Sequence, residues 1–360
     1  MAPDLFNVAV VGYGMSAKIF HIPLILHLPS EFKLYGIVQR SPKPGDDSTK
    51  DHPDAKSWRS VEEVYKDPKV HVVILTTTPE THYQMAKAAL ESGKHVVVEK
   101  PFVPSSREAS DLIEIAKKNG KLLTVYQNRR WDTDYLTVCK VMAEGSLGDI
   151  VEFETHYDRY RPEVPQGTWK GEERPANGSI YDLGTHLLDQ VYHSFGMPKR
   201  VTGFVGFQRQ GPPKGPHDSF TVLLHYPNKL VTVKAAVISI EEEQLRFWIR
   251  GTKGTFKKFR LDTQEEQLKA GTHKPGDKGF GVDPESSYGT LTTIIDGQPL
   301  KKKYSTVDPP TYVEFYKIFA KALHGQGEVP VKPEDARDVL TIIETVLQSS
   351  KEGRTIELSA

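Results

Sequence analysis

Between Phe6 and about Asn128, short apolar runs alternate with amphipathic stretches of helical period, and this alternation constrains the fold more than any other feature. Strands separated by helices cannot pair as hairpins. Each helix must carry the chain back across the sheet, so the strands run parallel with helices on both faces. Strands are expected over residues 6–11, 33–38, 70–76, 94–98 and 121–126, and helices near 17–28, 60–65, 80–92 and 105–119. Gly93 and Gly120 stand just past two of these helices, where a left-handed residue closes the last turn. Ser60 and Ser105 are suited to begin two others. The pattern predicts a doubly wound, Rossmann-type dinucleotide-binding domain over residues 1–128.

The turn after the first strand reads Gly12-Tyr13-Gly14-Met15-Ser16-Ala17, a G-x-G-x-x-A run that leads into a helix. Gly12 permits the tight turn, Gly14 lets backbone approach a pyrophosphate, and Ala17 allows close packing of helix on sheet. The whole run is expected to bind a dinucleotide. The end of the second strand selects which one. An NAD site wants a carboxylate there for the ribose hydroxyls, whereas this chain has Gln39-Arg40-Ser41-Pro42-Lys43. Arg40 offers a planar donor fork to a 2′-phosphate and Ser41 a hydroxyl, so NADP is favoured and NAD is the alternative. Asp46 and Asp47 lie close enough in sequence to fold back toward a ribose.

After the third strand, Thr76, Thr77 and Thr78 can bond the cofactor through backbone and hydroxyl, and Pro79 suits the first helical position. His82 either reaches the ribose or satisfies its own helix. The fourth strand runs into Glu99-Lys100-Pro101. The carboxyl end of a parallel strand is where α/β enzymes keep their chemistry, and Pro101 restricts the backbone that aims Lys100. Glu99 either binds ribose or holds the turn.

Beyond Arg130 the pattern changes. A helix near 133–144 leads to a strand over 150–160, and strands then follow one another over 201–208, 219–226, 230–240, 244–251 and 254–260. Strands without crossovers imply a mostly antiparallel sheet, so residues 129–360 are expected to form an α+β domain. One open sheet face needs a cover, and self-association through it predicts a homo-oligomer, dimer or tetramer. Residues 271–289 read as an irregular loop, and two late helices are expected near 311–323 and 333–350.

The richest stretch of this half is Asn177 to Asp189, expected to be a helix running to about Phe195 with Gly196 as its stop. Asp182 and His186 are four apart and share a face. Gly184 between them weakens the helix, which suits close approach of a ligand. Asp189 and His193 continue the stripe. Four such ligands along one straight helix cannot converge on one ion, so proton transfer is favoured over a metal site, and Asp189 and His193 can equally be structural. Hydride transfer at an alcohol or carbonyl carbon needs a protein group for the accompanying proton. His186 suits that proton, Lys100 can steady the same oxygen, and Asp182 can orient the substrate, in a cleft between the domains.

A chain of 360 residues exceeds one ordinary core, in keeping with two domains. Its 47 basic and 47 acidic residues leave no electrostatic footprint for nucleic acid or anionic membrane, so a small-molecule partner is expected. Cys139, the single cysteine, excludes an intramolecular disulfide and suits a reducing compartment. With no apolar run of membrane-spanning length and strand-like sequence already at Phe6, a cytoplasmic protein without a leader is expected.

The Gly loop, Glu99-Lys100-Pro101 and Asp182-x-x-x-His186 together resemble the Gfo/Idh/MocA oxidoreductase family over essentially the whole chain. The segments 126–132, 157–163 and 181–186 look most like its NADP-dependent scyllo-inositol dehydrogenases. The resemblance implies a nucleotide-binding domain joined to a domain with a large open sheet, and a catalytic trio of Lys100, Asp182 and His186. It also implies cofactor contacts from Asn128, Arg129 and Trp169, and polyol contacts from Arg159, Tyr160 and Arg161. The implied reaction is NADP-dependent hydride transfer on a sugar, sugar acid or inositol. Some relatives bind dinucleotide without turnover, which makes a galactose-repressor-like regulator the alternative.

Overall fold

The computed structural model describes residues 3–210 and 215–358, which form two compact units. The first comprises residues up to Asn128 together with Gln264–Phe280 and Pro310–Arg337. Its strands are β1 (Phe6–Val11), β2 (Phe32–Val38), β3 (Lys56–Trp58), β4 (Val72–Leu75), β5 (His95–Val98) and β6 (Leu123–Val125). They pair in the order β3-β2-β1-β4-β5-β6, all parallel. The order reverses between β1 and β4, so the loops leaving these two strands diverge and open a crevice at their carboxyl ends.

Val10, Ile74 and Val97 are fully buried because helices cover both faces of the sheet. The connecting helices are α1 (Ile22–Leu26), α2 (Ser48–Asp51), α3 (Val61–Lys66), α4 (Pro79–Glu91) and α5 (Ser106–Lys118). β3 and α2 went unread in the sequence because β3 is short and mostly exposed. It is fixed by Trp58, whose ring packs where a Cβ on Gly36 of β2 would stand 2.2 Å away. A boundary at residue 128 alone leaves out two later segments that join this unit. Thr124 Oγ1 donates to the Val331 carbonyl at 2.8 Å, and Tyr316 meets His21.

In the second unit α6 (Thr133–Ala143) precedes β7 (Ile150–His156), and α7 (Thr185–Phe195) precedes β8 (Arg200–Gly206), β9 (Ser219–His225), β10 (Leu230–Ala235), β11 (Leu245–Gly251) and β12 (Gly254–Phe259). After α8 (Gln264–Ala270) of the first unit come β13 (Gly289–Ile295) and β14 (Gln298–Tyr304). Then follow α9 (Val313–Leu323), α10 (Pro333–Glu352) and β15 (Ile356–Glu357). The sheet order is β14-β13-β12-β11-β7-β10-β9-β8-β15, antiparallel except where β10 runs parallel to β7. β13 and β14 escaped the sequence reading because Lys301, Lys302 and Lys303 mask the alternation. The Asp296-Gly297 turn between them, with φ of 50° and 75°, is a two-residue hairpin signal that was there to be read.

One face of this sheet is tied to its helices by Arg246 of β11, 1% exposed. Its guanidinium donates to Asp134 Oδ2 of α6 at 2.8 Å, to Gln190 Oε1 of α7 at 2.7 Å and to Thr155 Oγ1 at 2.6 Å. Among the described residues, no helix is long and apolar enough to cross a membrane.

Candidate active site

The phosphate-binding turn follows from its glycines. Gly12 has φ of 100°, and a Cβ there would stand 2.8 Å from Thr76 Oγ1, so only glycine fits. A Cβ on Gly14 would meet nothing within 4 Å, which leaves open space above the backbone where a pyrophosphate has to come close. Thr76 closes the turn from β4, its hydroxyl donating to the Val11 carbonyl at 3.0 Å. Ala17 is fully buried, and the first turn of the following helix, Ala17–His21, is a π-turn. Met15 is exposed, whereas Tyr13 is buried and donates to Asp51 Oδ2 at 2.7 Å. Burial and then Asp51 push the Tyr13 phenol well above its ordinary range.

A cavity of about 490 Å³ opens beside this turn, lined by Gly12, Arg40, Arg59, Thr77, Thr78 and Met85 among others. Arg40 and Ser41 are exposed at the end of β2, and Arg40 forms no ion pair among the described residues. The two acids that could have folded back are engaged elsewhere. Asp46 pairs with Lys18 at 2.6 Å, and Asp47 accepts from the Thr49 backbone N–H at 3.0 Å as the cap of α2. No sequence pattern marks Arg59, because it stands after a strand too short to recognise.

His82 is fully buried. Its Nε2 lies 3.1 Å from the Thr77 carbonyl and its Nδ1 3.1 Å from the carbonyls of Pro101 and Phe102. Of the two roles read from the sequence, the geometry gives it neither: it bridges two loops. Pro79 opens α4 at its first position.

Glu99 is 8% exposed and both its oxygens are occupied. Oε1 accepts from Ser16 Oγ and lies 2.9 Å from His21 Nε2, while Oε2 accepts from the Lys100 backbone N–H at 2.9 Å. His21 Nδ1 in turn lies 2.5 Å from the Tyr316 hydroxyl. Burial pushes the Glu99 carboxyl up, but the His21 and Ser16 hydrogen bonds and the charges of His21 and Lys100 outweigh it and hold it below the ordinary range. Glu99 therefore joins the phosphate-binding turn to the backbone of half-buried Lys100. The Lys100–Pro101 peptide is cis.

The second unit contributes the segment around residue 182. Asn177 Nδ2 donates to the carbonyls of Trp169 at 2.9 Å and Glu172 at 2.7 Å, which fixes the preceding loop. Gly178, with φ of 100°, lies against the His217 ring, 2.7 Å from where a Cβ would be. The helix is not regular as expected: Ile180–Gly184 is a π-turn, and α7 begins at Thr185. Such turns occur often at functional sites. Gly184 is closely packed, since a Cβ would stand 2.8 Å from Ile180 Cδ1 and 3.4 Å from Phe220 Cζ.

Asp182 pairs with Lys170 at 3.1 Å, a partner the sequence did not suggest, and His186 is 5% exposed. Asp189 is not part of a ligand stripe: it is buried and accepts from Arg130 Nε and Nη2, each at 2.8 Å. His193 is exposed. Asn128 and Arg129 are buried, Arg129 donating to Asp132 Oδ2 at 3.0 Å and to the Tyr157 hydroxyl at 3.2 Å. Trp169 and Arg159 are half-buried, and Tyr160 and Arg161 are exposed just past β7. Arg174 pairs with Glu172 at 2.6 Å.

Residues 6–127 match the family described as "Oxidoreductase family, NAD-binding Rossmann fold" and residues 140–358 match "Oxidoreductase family, C-terminal alpha/beta domain". The chain belongs to the Gfo/Idh/MocA oxidoreductase family. Within the Gfo/Idh/MocA family, it is 38% identical to scyllo-inositol 2-dehydrogenase (NADP(+)) IolW of Bacillus subtilis, over 99% of this chain and 96% of that protein. An uncharacterized oxidoreductase, C115.03, of Schizosaccharomyces pombe is 39% identical over 97% of this chain and 98% of its own length. The solved structure of the oxidoreductase yvaA from Bacillus subtilis superposes with a TM-score of 0.92 at 38% identity, covering 98% of both chains. As a Gfo/Idh/MocA protein with an NAD-binding Rossmann domain, the chain is an oxidoreductase, and the turn at Gly12 and the strand end at Lys100 fall within that domain.

Proposed function

We propose that this oxidoreductase uses NADP and acts on a secondary alcohol or carbonyl of a sugar, sugar acid or inositol. The observation that carries the cofactor choice is Arg40, a guanidinium without an ion-pair partner among the described residues, lining a cavity of about 490 Å³ that starts at Gly12. A 2′-phosphate supplies the charge Arg40 lacks, and no carboxylate stands at the end of β2 to favour a plain ribose. The name of the Bacillus subtilis relative supports both the cofactor and an inositol-like substrate. The open space over Gly14 fits a dinucleotide.

When bound, the nicotinamide supplies or accepts the hydride. Lys100 donates a hydrogen bond to the reacting oxygen and stabilises its negative charge as it develops. His186 takes the proton from that hydroxyl, or returns it in reduction, and Asp182 orients a neighbouring hydroxyl. Gly12 to Ala17, Ser41, Thr76 to Pro79, Asn128, Arg129 and Trp169 frame the cofactor, and Arg159, Tyr160 and Arg161 contact the polyol. Glu99 and His82 support these groups from behind. The enzyme works in the cytoplasm, in line with its single cysteine, and assembles as a homo-oligomer through the open sheet, where Phe204 is 61% and Ile294 57% exposed.

Purified protein mixed with NADP or NAD and a panel of inositols, aldoses and uronates tests the reading through nicotinamide absorbance. Turnover with NADP on at least one polyol is expected. Binding of NADPH with no turnover in either direction on any of them would move the protein to the regulators.

A further inference from the structure

We propose that Arg59 is a second determinant of the 2′-phosphate site, clamping the phosphate together with Arg40; this rests on the NADP reading above. Both arginines line the same cavity, and neither forms an ion pair among the described residues. Two cations that line one cavity, neither of them ion-paired with Glu62, which also lines it, form a site for an anion.

The surroundings of Arg59 hold it ready. Its backbone N–H donates to Glu63 Oε1 at 3.0 Å and that of Ser60 to the same oxygen at 3.1 Å, so the turn between β3 and α3 is tied down. Among the described residues, its side chain is anchored by one nitrogen only: Nη1 donates to the Gln39 carbonyl at 3.1 Å and to Ser57 Oγ at 3.0 Å. Gln39 precedes Arg40, so the bond fastens Arg59 to the strand end that carries the first arginine. Nε and Nη2 retain their N–H groups for a ligand, enough for a two-point contact with phosphate oxygens. Glu62 also lines the cavity and stays ionised, held below the ordinary carboxylate range by hydrogen bonds from its own backbone N–H and from Ser60, which tie its oxygens to the helix start rather than to either arginine. A side chain anchored before binding gives up little freedom on binding.

The test uses calorimetry on the full chain with adenosine 2′,5′-bisphosphate and with AMP, which differ only in the 2′-phosphate. Arg59→Ala should weaken the bisphosphate about 10- to 100-fold while leaving AMP unchanged. Arg59→Lys, which keeps the charge but not the fork, should fall between, and it guards against a variant whose turn has collapsed. If Arg40→Ala weakens the bisphosphate and Arg59→Ala does not, or if Arg59→Ala weakens both ligands equally, the role of Arg59 is overturned and the NADP reading stands. A wild-type protein with no preference for the bisphosphate would overturn both.

Discussion

His21 Nε2 lies 2.9 Å from Glu99 Oε1, with both residues buried beneath the strand end that carries Lys100. His21 thereby links the hydroxyl of Tyr316 to the carboxylate that holds the Lys100 backbone N–H. Replacing His21 by Phe keeps a ring in the space but leaves Glu99 and Tyr316 each short of a partner. We expect a loss of about 1–3 kcal/mol for each buried group left unsatisfied, measured by urea unfolding. An unchanged midpoint would mean that the contact does not hold the site together.

Lys100→Met and His186→Ala should each lower kcat/KM about 10²- to 10⁴-fold, the range for a proton-handling group. Because Lys100 is only half-buried, its variant should melt close to wild type. Activity near the wild-type value in either variant would remove that residue from the chemistry.

Arg40→Ala should raise KM for NADP about 10- to 100-fold and leave KM for NAD as it was, because only the phosphate contact is lost. Steady-state kinetics with both cofactors reads the ratio, and equal changes would mean that Arg40 serves the adenosine rather than its phosphate.

Acid should loosen the first unit before it reaches the carboxylates. Burial pulls His95 down from an ordinary 6.5 to about 4 and lowers His71 as well. In each ring Nδ1 accepts a backbone N–H, from Leu122 at 3.0 Å and from Asn7 at 2.9 Å, and each of these bonds needs an unprotonated nitrogen. Below pH 6.5 the unfolded chain binds protons that the folded chain refuses. Stability is therefore full above 6.5 and is lost as pH falls toward 4, by roughly 3 kcal/mol at most for His95. His95→Gln should flatten this part of the profile, and the same acid slope in the variant would rule the ring out.

Asp189 meets Arg130 through two bonds of 2.8 Å, both residues buried. Asp189→Ala takes the bidentate carboxylate away from a buried guanidinium and should destabilise the protein by about 3–5 kcal/mol. EDTA should leave wild-type activity intact, since this carboxylate is already committed to Arg130. Loss of activity in EDTA with recovery on added divalent metal would reopen the metal reading.

Much of the first unit was legible because its signals are local. A glycine with φ of 100° at Gly12, an apolar run such as Val96-Val97-Val98 and a serine cap at Ser105 each act within a few residues. The pairing of Asp182 with Lys170, and of Asp189 with Arg130, was not legible, since residues on separate segments meet only after the chain has folded. The hairpin over residues 289–304 was hidden by its lysines.

By itself the sequence determined the dinucleotide-binding class, through a glycine turn after a strand, and it set Arg40 and Lys100 at strand ends, each fixed by backbone geometry and residue type. Only the tertiary structure decided what stands behind those groups. Glu99 turned out to be engaged by Ser16 and His21, His82 to be buried between carbonyls, and Arg59 to line the cavity with Arg40. The reason is burial: desolvated polar groups must find partners wherever packing brings them, and sequence spacing carries no record of contacts made across the sheet.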